Sequence, residues 1–130
     1  MYPFKIYECA YCGDEATEND HVTPRSRGGR LTVPSCAPCN RSKSRKDADE
    51  WLAHQLIRDA RCDIGDDASR RLVEMLLRLP ALVDAGIIDM GCVGVELASA
   101  REEALQLALN LELALTTLNA AVENARALAS

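Results

Sequence analysis

Two Cys-x-x-Cys pairs, Cys9/Cys12 and Cys36/Cys39, lie in a stretch of chain with little apolar material of its own. Up to residue 46 the large apolar side chains are Phe4, Ile6, Val22, Leu31 and Val33, with a few tyrosines. A segment so short and so thinly provided folds when a metal or disulfides staple it. Four thiolates in two pairs suit one tetrahedral Zn²⁺, which binds sulfur at about 2.3 Å. No apolar run follows Met1-Tyr2-Pro3-Phe4-Lys5, so no signal peptide is read and a cytoplasmic setting with reduced thiols is expected. Reduced thiols favour zinc over disulfides. A redox role for the pairs is disfavoured, because no βαβ pattern surrounds them. Cys62 and Cys92 lack neighbouring partners and read as ordinary buried small residues.

These features divide the chain into a metal-stapled head, residues 1–46, and a helical domain, residues 47–130, that packs a core or dimerises. The expected class is α+β. Short strands are read over 4–8, Thr17–Pro24 and Leu31–Val33, with proline closing the last two. A helix is expected from Ala37 or Pro38 to about Lys46, since proline is tolerated in a first turn. Asp47-x-x-Glu50 has the form of a capping box and opens a helix over Ala48–Arg61. Trp51, Leu52, Leu56 and Ile57 recur there at helical spacing. A further helix is read over Ala68–Leu79, ending at Pro80. Gly86, Gly91 and Gly94 then punctuate a connector.

From about Glu96 to Leu128 no Gly or Pro interrupts a run rich in Leu and Ala, which predicts one long helix. Its leucines form two stripes, and a broad apolar face suits packing against the 68–79 helix more than a narrow coiled-coil seam. A homodimer through this helix is the sharper reading. Charged residues interrupt each apolar run, so no bilayer span is read and no membrane partner is expected.

The formal net charge of −5 conceals a strong asymmetry. Between His21 and Lys46 stand Arg25, Arg27, Arg30, Arg41, Lys43, Arg45 and Lys46, with no Asp or Glu. A basic patch acts over about 8–10 Å, so this local sign outweighs the sum when a polyanion approaches.

Between the cysteine pairs a carboxylate, Asp20, adjoins an imidazole, His21, and Asn40 follows the last thiol. Phosphodiester hydrolysis needs a base for water and a cation against charge on the phosphoryl and leaving oxygens. His21 suits the base, because the imidazole is the side chain that exchanges protons near neutral pH. Asp20 offers a hard oxygen to Mg²⁺ or a similar ion, Asn40 offers a carbonyl oxygen, and Lys43 lies three positions further along the same helical face. Neighbouring side chains on a strand face opposite ways, so Asp20 and His21 share one site only where the chain bends.

The order Cys9-Ala-Tyr-Cys12-Gly13, Asp20-His21-Val22-x-Pro24-Arg25-Ser26-Arg27-Gly28-Gly29 and Cys36-x-x-Cys39-Asn40-x-x-Lys43 resembles the zinc-containing HNH endonucleases over about residues 5–46. The resemblance implies a ββα-metal, treble-clef-like head, with Cys9, Cys12, Cys36 and Cys39 on a structural zinc. It implies His21 as general base, Asp20 and Asn40 as ligands of a catalytic divalent ion such as Mg²⁺, and DNA as substrate. Arg25, Arg27, Arg30, Arg41 and Lys43 are then expected on the DNA backbone. In one place the chain departs from the pattern: the family's Asn between Gly-Gly and the second cysteine pair is absent, and Leu31 or Thr32 stands nearest its place. The competing expectation is therefore a zinc-stabilised DNA-binding or assembly module with weak or no catalysis.

Overall fold

Antiparallel pairing of β1 (Glu18–His21) with β2 (Thr32–Ser35) builds the only sheet among the described residues, 5–129, of this computed structural model. The register sets Glu18 against Ser35, Asp20 against Val33 and His21 against Thr32. β1 is followed by a single 3-10 turn at Arg25–Arg27 and β2 by helix α1 (Ala37–Lys43), giving the order ββα. Helices α2 (Ala48–Ala60), α3 (Asp66–Leu77), α4 (Leu79–Asp84) and α5 (Met90–Ala129) complete the chain. The class is α+β, as the sequence predicts.

Several boundaries differ from the sequence reading for identifiable reasons. Phe4 lies outside the described residues, and the expected strand over 4–8 is reduced to one isolated bridge, Glu8 to Glu15. Pro34 does not stop β2. It pairs opposite Asn19, and its carbonyl accepts the Ala10 N–H at 2.9 Å. In a two-stranded sheet both strands are edges, so the missing proline N–H costs no ladder bond. Pro80 sits in the first turn of α4, and α5 begins at Met90 in spite of Gly91 and Gly94. There the Asp89 carboxylate accepts the backbone N–H groups of Gly91 and Cys92 at 2.8 and 3.3 Å, in the manner of an N-cap. The Asp47 cap is present as expected, its carboxylate accepting the Glu50 N–H at 2.9 Å.

The chain divides into two units, Met1–Leu97 and Ala98–Ser130. One apolar core fills the first unit and runs across residue 46. It joins the four head cysteines and Tyr11 to Trp51 and Leu52 of α2, Leu72 and Met75 of α3, Leu82 of α4, Ile87, Ile88 and Val93. Tyr11 and Trp51 meet edge to face with ring centroids 5.0 Å apart, and the indole N–H donates to Ser42 Oγ at 3.0 Å. The Ala48 N–H donates to the Val22 carbonyl, so α2 starts from the end of the hairpin.

Two expectations about the remaining sequence are corrected. Cys62 and Cys92 are exposed, the first in a turn with φ +54 and the second on α5. In the second unit Leu105, Leu107, Leu109, Leu111, Leu113, Leu115, Leu118 and Leu128 are all exposed. Between Glu103 and Glu123 the only charge is Glu112, and α5 is long and apolar enough to cross a membrane by length and composition. The expectation that no run meets that test is therefore overturned. A helix apolar on more than one side suits lipid or the interior of a protein assembly equally.

Candidate metal centre and cleft

Backbone geometry at the first cysteine pair explains why Gly13 follows it. Gly13 has φ +81, a conformation that costs a residue with a Cβ. Its N–H donates to the Cys9 carbonyl at 2.9 Å, and the Cys9 N–H donates to the Asp14 carbonyl at 2.7 Å, closing a tight knuckle. The second pair sits on α1: Cys36 is its N-cap, and Cys39 lies in its first turn beside Pro38. All four cysteines are buried, and their sulfur atoms lie within 4.8 Å of one another. Cys12 Sγ and Cys36 Sγ are 3.6 Å apart, far beyond a disulfide bond of about 2.05 Å. A tetrahedron with metal–sulfur bonds of about 2.3 Å has edges of about 3.8 Å, so the cluster fits one Zn²⁺.

The thiols respond to their confinement together. Hydrogen bonds from Cys12 and Cys39 pull the Cys9 thiol far below its ordinary pKa. Cys39 is pushed far upward by its bonds to Cys12 and Cys9 and by burial. One thiolate thus forms readily and its neighbours resist, until a cation compensates the added charge.

An open cleft of about 590 Å³ is lined by Asn19, Asp20, His21, Pro24, Arg25, Ser26, Asn40, Ser44 and Arg45. Asp20, His21 and Asn40 therefore all line one cleft. β1 ends at His21, so the chain leaves the strand directly after the two residues that line the cleft. Asp20 is 5 % exposed, and His21 is half-buried. Among the described residues the His21 imidazole has no hydrogen-bond partner, so both ring nitrogens are free to meet water or substrate.

The polar groups around Asp20 divide its two oxygens. Tyr11 Oη donates to Oδ2 at 2.7 Å, and the Lys43 ammonium lies 3.2 Å from the same atom. Oδ1 receives only a longer contact from Lys43, at 3.4 Å. Asn40 donates its amide N–H to Glu18 Oε2, which leaves the Asn40 carbonyl oxygen unspent. Asp20 and Asn40, from different elements, line one cleft, and a carboxylate with an amide oxygen is a donor set that fits a divalent cation such as Mg²⁺.

The basic residues separate into groups that the sequence alone cannot distinguish. Arg25 and Arg45 line the cleft. Arg25, Arg30, Arg41 and Arg45 are exposed, and among the described residues none of them forms an ion pair. Arg27 instead pairs with Glu50 at 2.5 Å, and this contact holds the Glu50 carboxyl below its usual range. Lys43, expected on a phosphate, is 1 % exposed and turned inward, so its ammonium does not face the cleft mouth. The loop that carries Arg25 needs both of its glycines. Gly28 has φ +84, and a Cβ on Gly29 would stand 1.8 Å from the Thr23 carbonyl oxygen.

Sequence reasoning missed Tyr11, Glu18, Asn19, Ser44 and Arg45. Glu18 carries the one legible signal, since it lies two residues before Asp20 and so on the same strand face. Thr32, which with Leu31 stands nearest the place of the missing Asn, pairs opposite His21.

Residues 9–46 match the family of HNH endonucleases. The match spans all four cysteines, Asp20, His21 and Asn40. No curated protein and no solved structure matches the chain. The HNH segment and the four-cysteine metal site together point to a function of nuclease or DNA-binding type.

Proposed function

We propose that the HNH segment hydrolyses DNA phosphodiester bonds with the help of a divalent ion. The observation that carries this reading is that His21, Asp20 and Asn40 line one open cleft together with Arg25 and Arg45. His21, with its imidazole unengaged, would take a proton from water as the water oxygen bonds to phosphorus. The bond from phosphorus to the 3′-oxygen then breaks, and that oxygen takes its proton from solvent. Asp20 and Asn40 would hold the ion, which when bound offsets charge on the phosphoryl and leaving oxygens. Arg25 and Arg45 would bind flanking phosphates, with Arg30 and Arg41 adding backbone contacts. Such contacts carry no base information, so binding by the head should depend steeply on salt and weakly on sequence.

The test is nicking of supercoiled plasmid in Mg²⁺ or Mn²⁺ by the zinc-loaded protein and by His21→Ala. A general base contributes about 10²–10⁴-fold, so the variant should lose at least about 10²-fold in rate with its DNA affinity retained. Equal rates, or no cutting by either protein, would remove the enzyme reading. A second reading, a DNA-binding module without catalysis, has one observation in its favour: Asp20 and Asn40 already hold protein partners in Lys43, Tyr11 and Glu18. Under it the wild type binds duplex DNA and leaves the plasmid intact.

A further inference from the structure

Lys43 spends its ammonium on two consecutive residues of β1. It donates to the His21 carbonyl oxygen at 2.7 Å and lies 3.2 Å from Asp20 Oδ2. Both side chains of the ion pair are nearly enclosed, at 1 % and 5 % exposure. A lysine is rarely so buried unless it is paired, and removing one partner of such a pair leaves a stranded charge. Lys43 is also the last residue of α1, one turn beyond Asn40. One helix face thus supplies Asn40 to the cleft and, three residues on, the cation that grips the strand carrying Asp20 and His21. Tyr11, from the first cysteine knuckle, holds the same Asp20 oxygen from the other side.

We propose that Lys43 is a positioning residue, and not a phosphate contact: it locks α1 to the end of β1 and so fixes Asp20, His21 and Asn40 relative to one another. The inference rests on the nuclease reading for its kinetic consequence but not for its structural one. A displacement of about 1 Å in a catalytic constellation can cost about 10²-fold, and losing a partner that orients a metal ligand costs about 10–100-fold.

The test has three arms. In the first, Lys43→Gln keeps a donor for the His21 carbonyl, and Lys43→Met does not. With zinc content checked, plasmid nicking should fall about 10-fold or more in kcat, further for Met than for Gln, with KM unchanged. A raised KM at constant kcat would overturn the proposal. In the second arm, binding of Lys43→Gln to a short duplex is followed over salt concentration. The logarithmic slope should equal that of the wild type, whereas a phosphate contact would make it shallower by about one. The third arm needs no variant: acetylation of the wild-type protein, read by mass spectrometry, should label Lys46 and spare Lys43 with or without DNA. Labelling of Lys43 that DNA suppresses would overturn the proposal. A wild type that cuts nothing removes the nuclease reading, while the second and third arms still decide the role of Lys43.

Discussion

Replacing Cys36 with serine, or stripping the metal with a chelator, is expected to unfold the hairpin and α1 and to destabilise the whole first unit. Structural zinc binds its thiolates with an apparent free energy on the order of 10–16 kcal/mol at neutral pH. Domain stability as a whole is only about 5–15 kcal/mol. The head has no independent core with which to offset such a loss, because its buried residues are largely the four cysteines, Ala10, Tyr11, Val22 and Val33. Without the cation, the crowded thiols keep their protons or repel one another. The helices α2 to α4 retain Leu52, Leu72, Met75 and Leu82 between them, so part of the helical signal should survive. Circular dichroism during chelation should show loss of fixed aromatic signal together with a smaller loss of helix, both restored by added Zn²⁺. An unchanged melting curve on removal of the metal would contradict the stapling account.

Trp51→Ala should cost about 3–5 kcal/mol, the usual range for deleting a buried aromatic ring. Trp51 is 2 % exposed, stands edge-on to Tyr11 and spends its indole N–H on Ser42. Its removal opens a cavity between the head and α2 and frees the ring whose hydroxyl anchors Asp20. The effect should therefore reach the cleft as well as the core. Urea unfolding of the zinc-loaded protein measures the stability loss. A change below about 1 kcal/mol would mean that the head and the helices do not share a core. Phe at position 51 should recover most of the stability but not the bond to Ser42.

The features that were legible in the sequence are local ones. Two cysteine pairs at fixed spacing announce a metal cluster, because ligand spacing and knuckle geometry are set within a few residues. The start of α2 was readable for the same reason: Asp47 caps it from three residues before Glu50. That Asp20, His21 and Asn40 line one cleft is legible only when the two cysteine pairs are read as one site. What the sequence hid depends on which cation finds which carboxylate across the fold. Lys43 and Arg27 look alike in a basic run, yet one is buried against Asp20 and the other pairs with Glu50 on α2. The expected strand near the N-terminus failed because a bound knuckle needs only one bridge to close it. The leucines of α5 repeat at helical spacing, so their period reveals a helix but not what covers it.

The central claim is that a sulfur-bound metal holds the hairpin and α1 so that the adjoining cleft accepts a second, harder cation. Crystals of the zinc-loaded protein soaked in Mn²⁺, with anomalous data at the zinc and manganese edges, address it most directly. The account predicts a zinc peak among Cys9, Cys12, Cys36 and Cys39, and a separate manganese peak in contact with Asp20 and Asn40. Zinc at the cysteines with no manganese in the cleft at saturating concentration would contradict it.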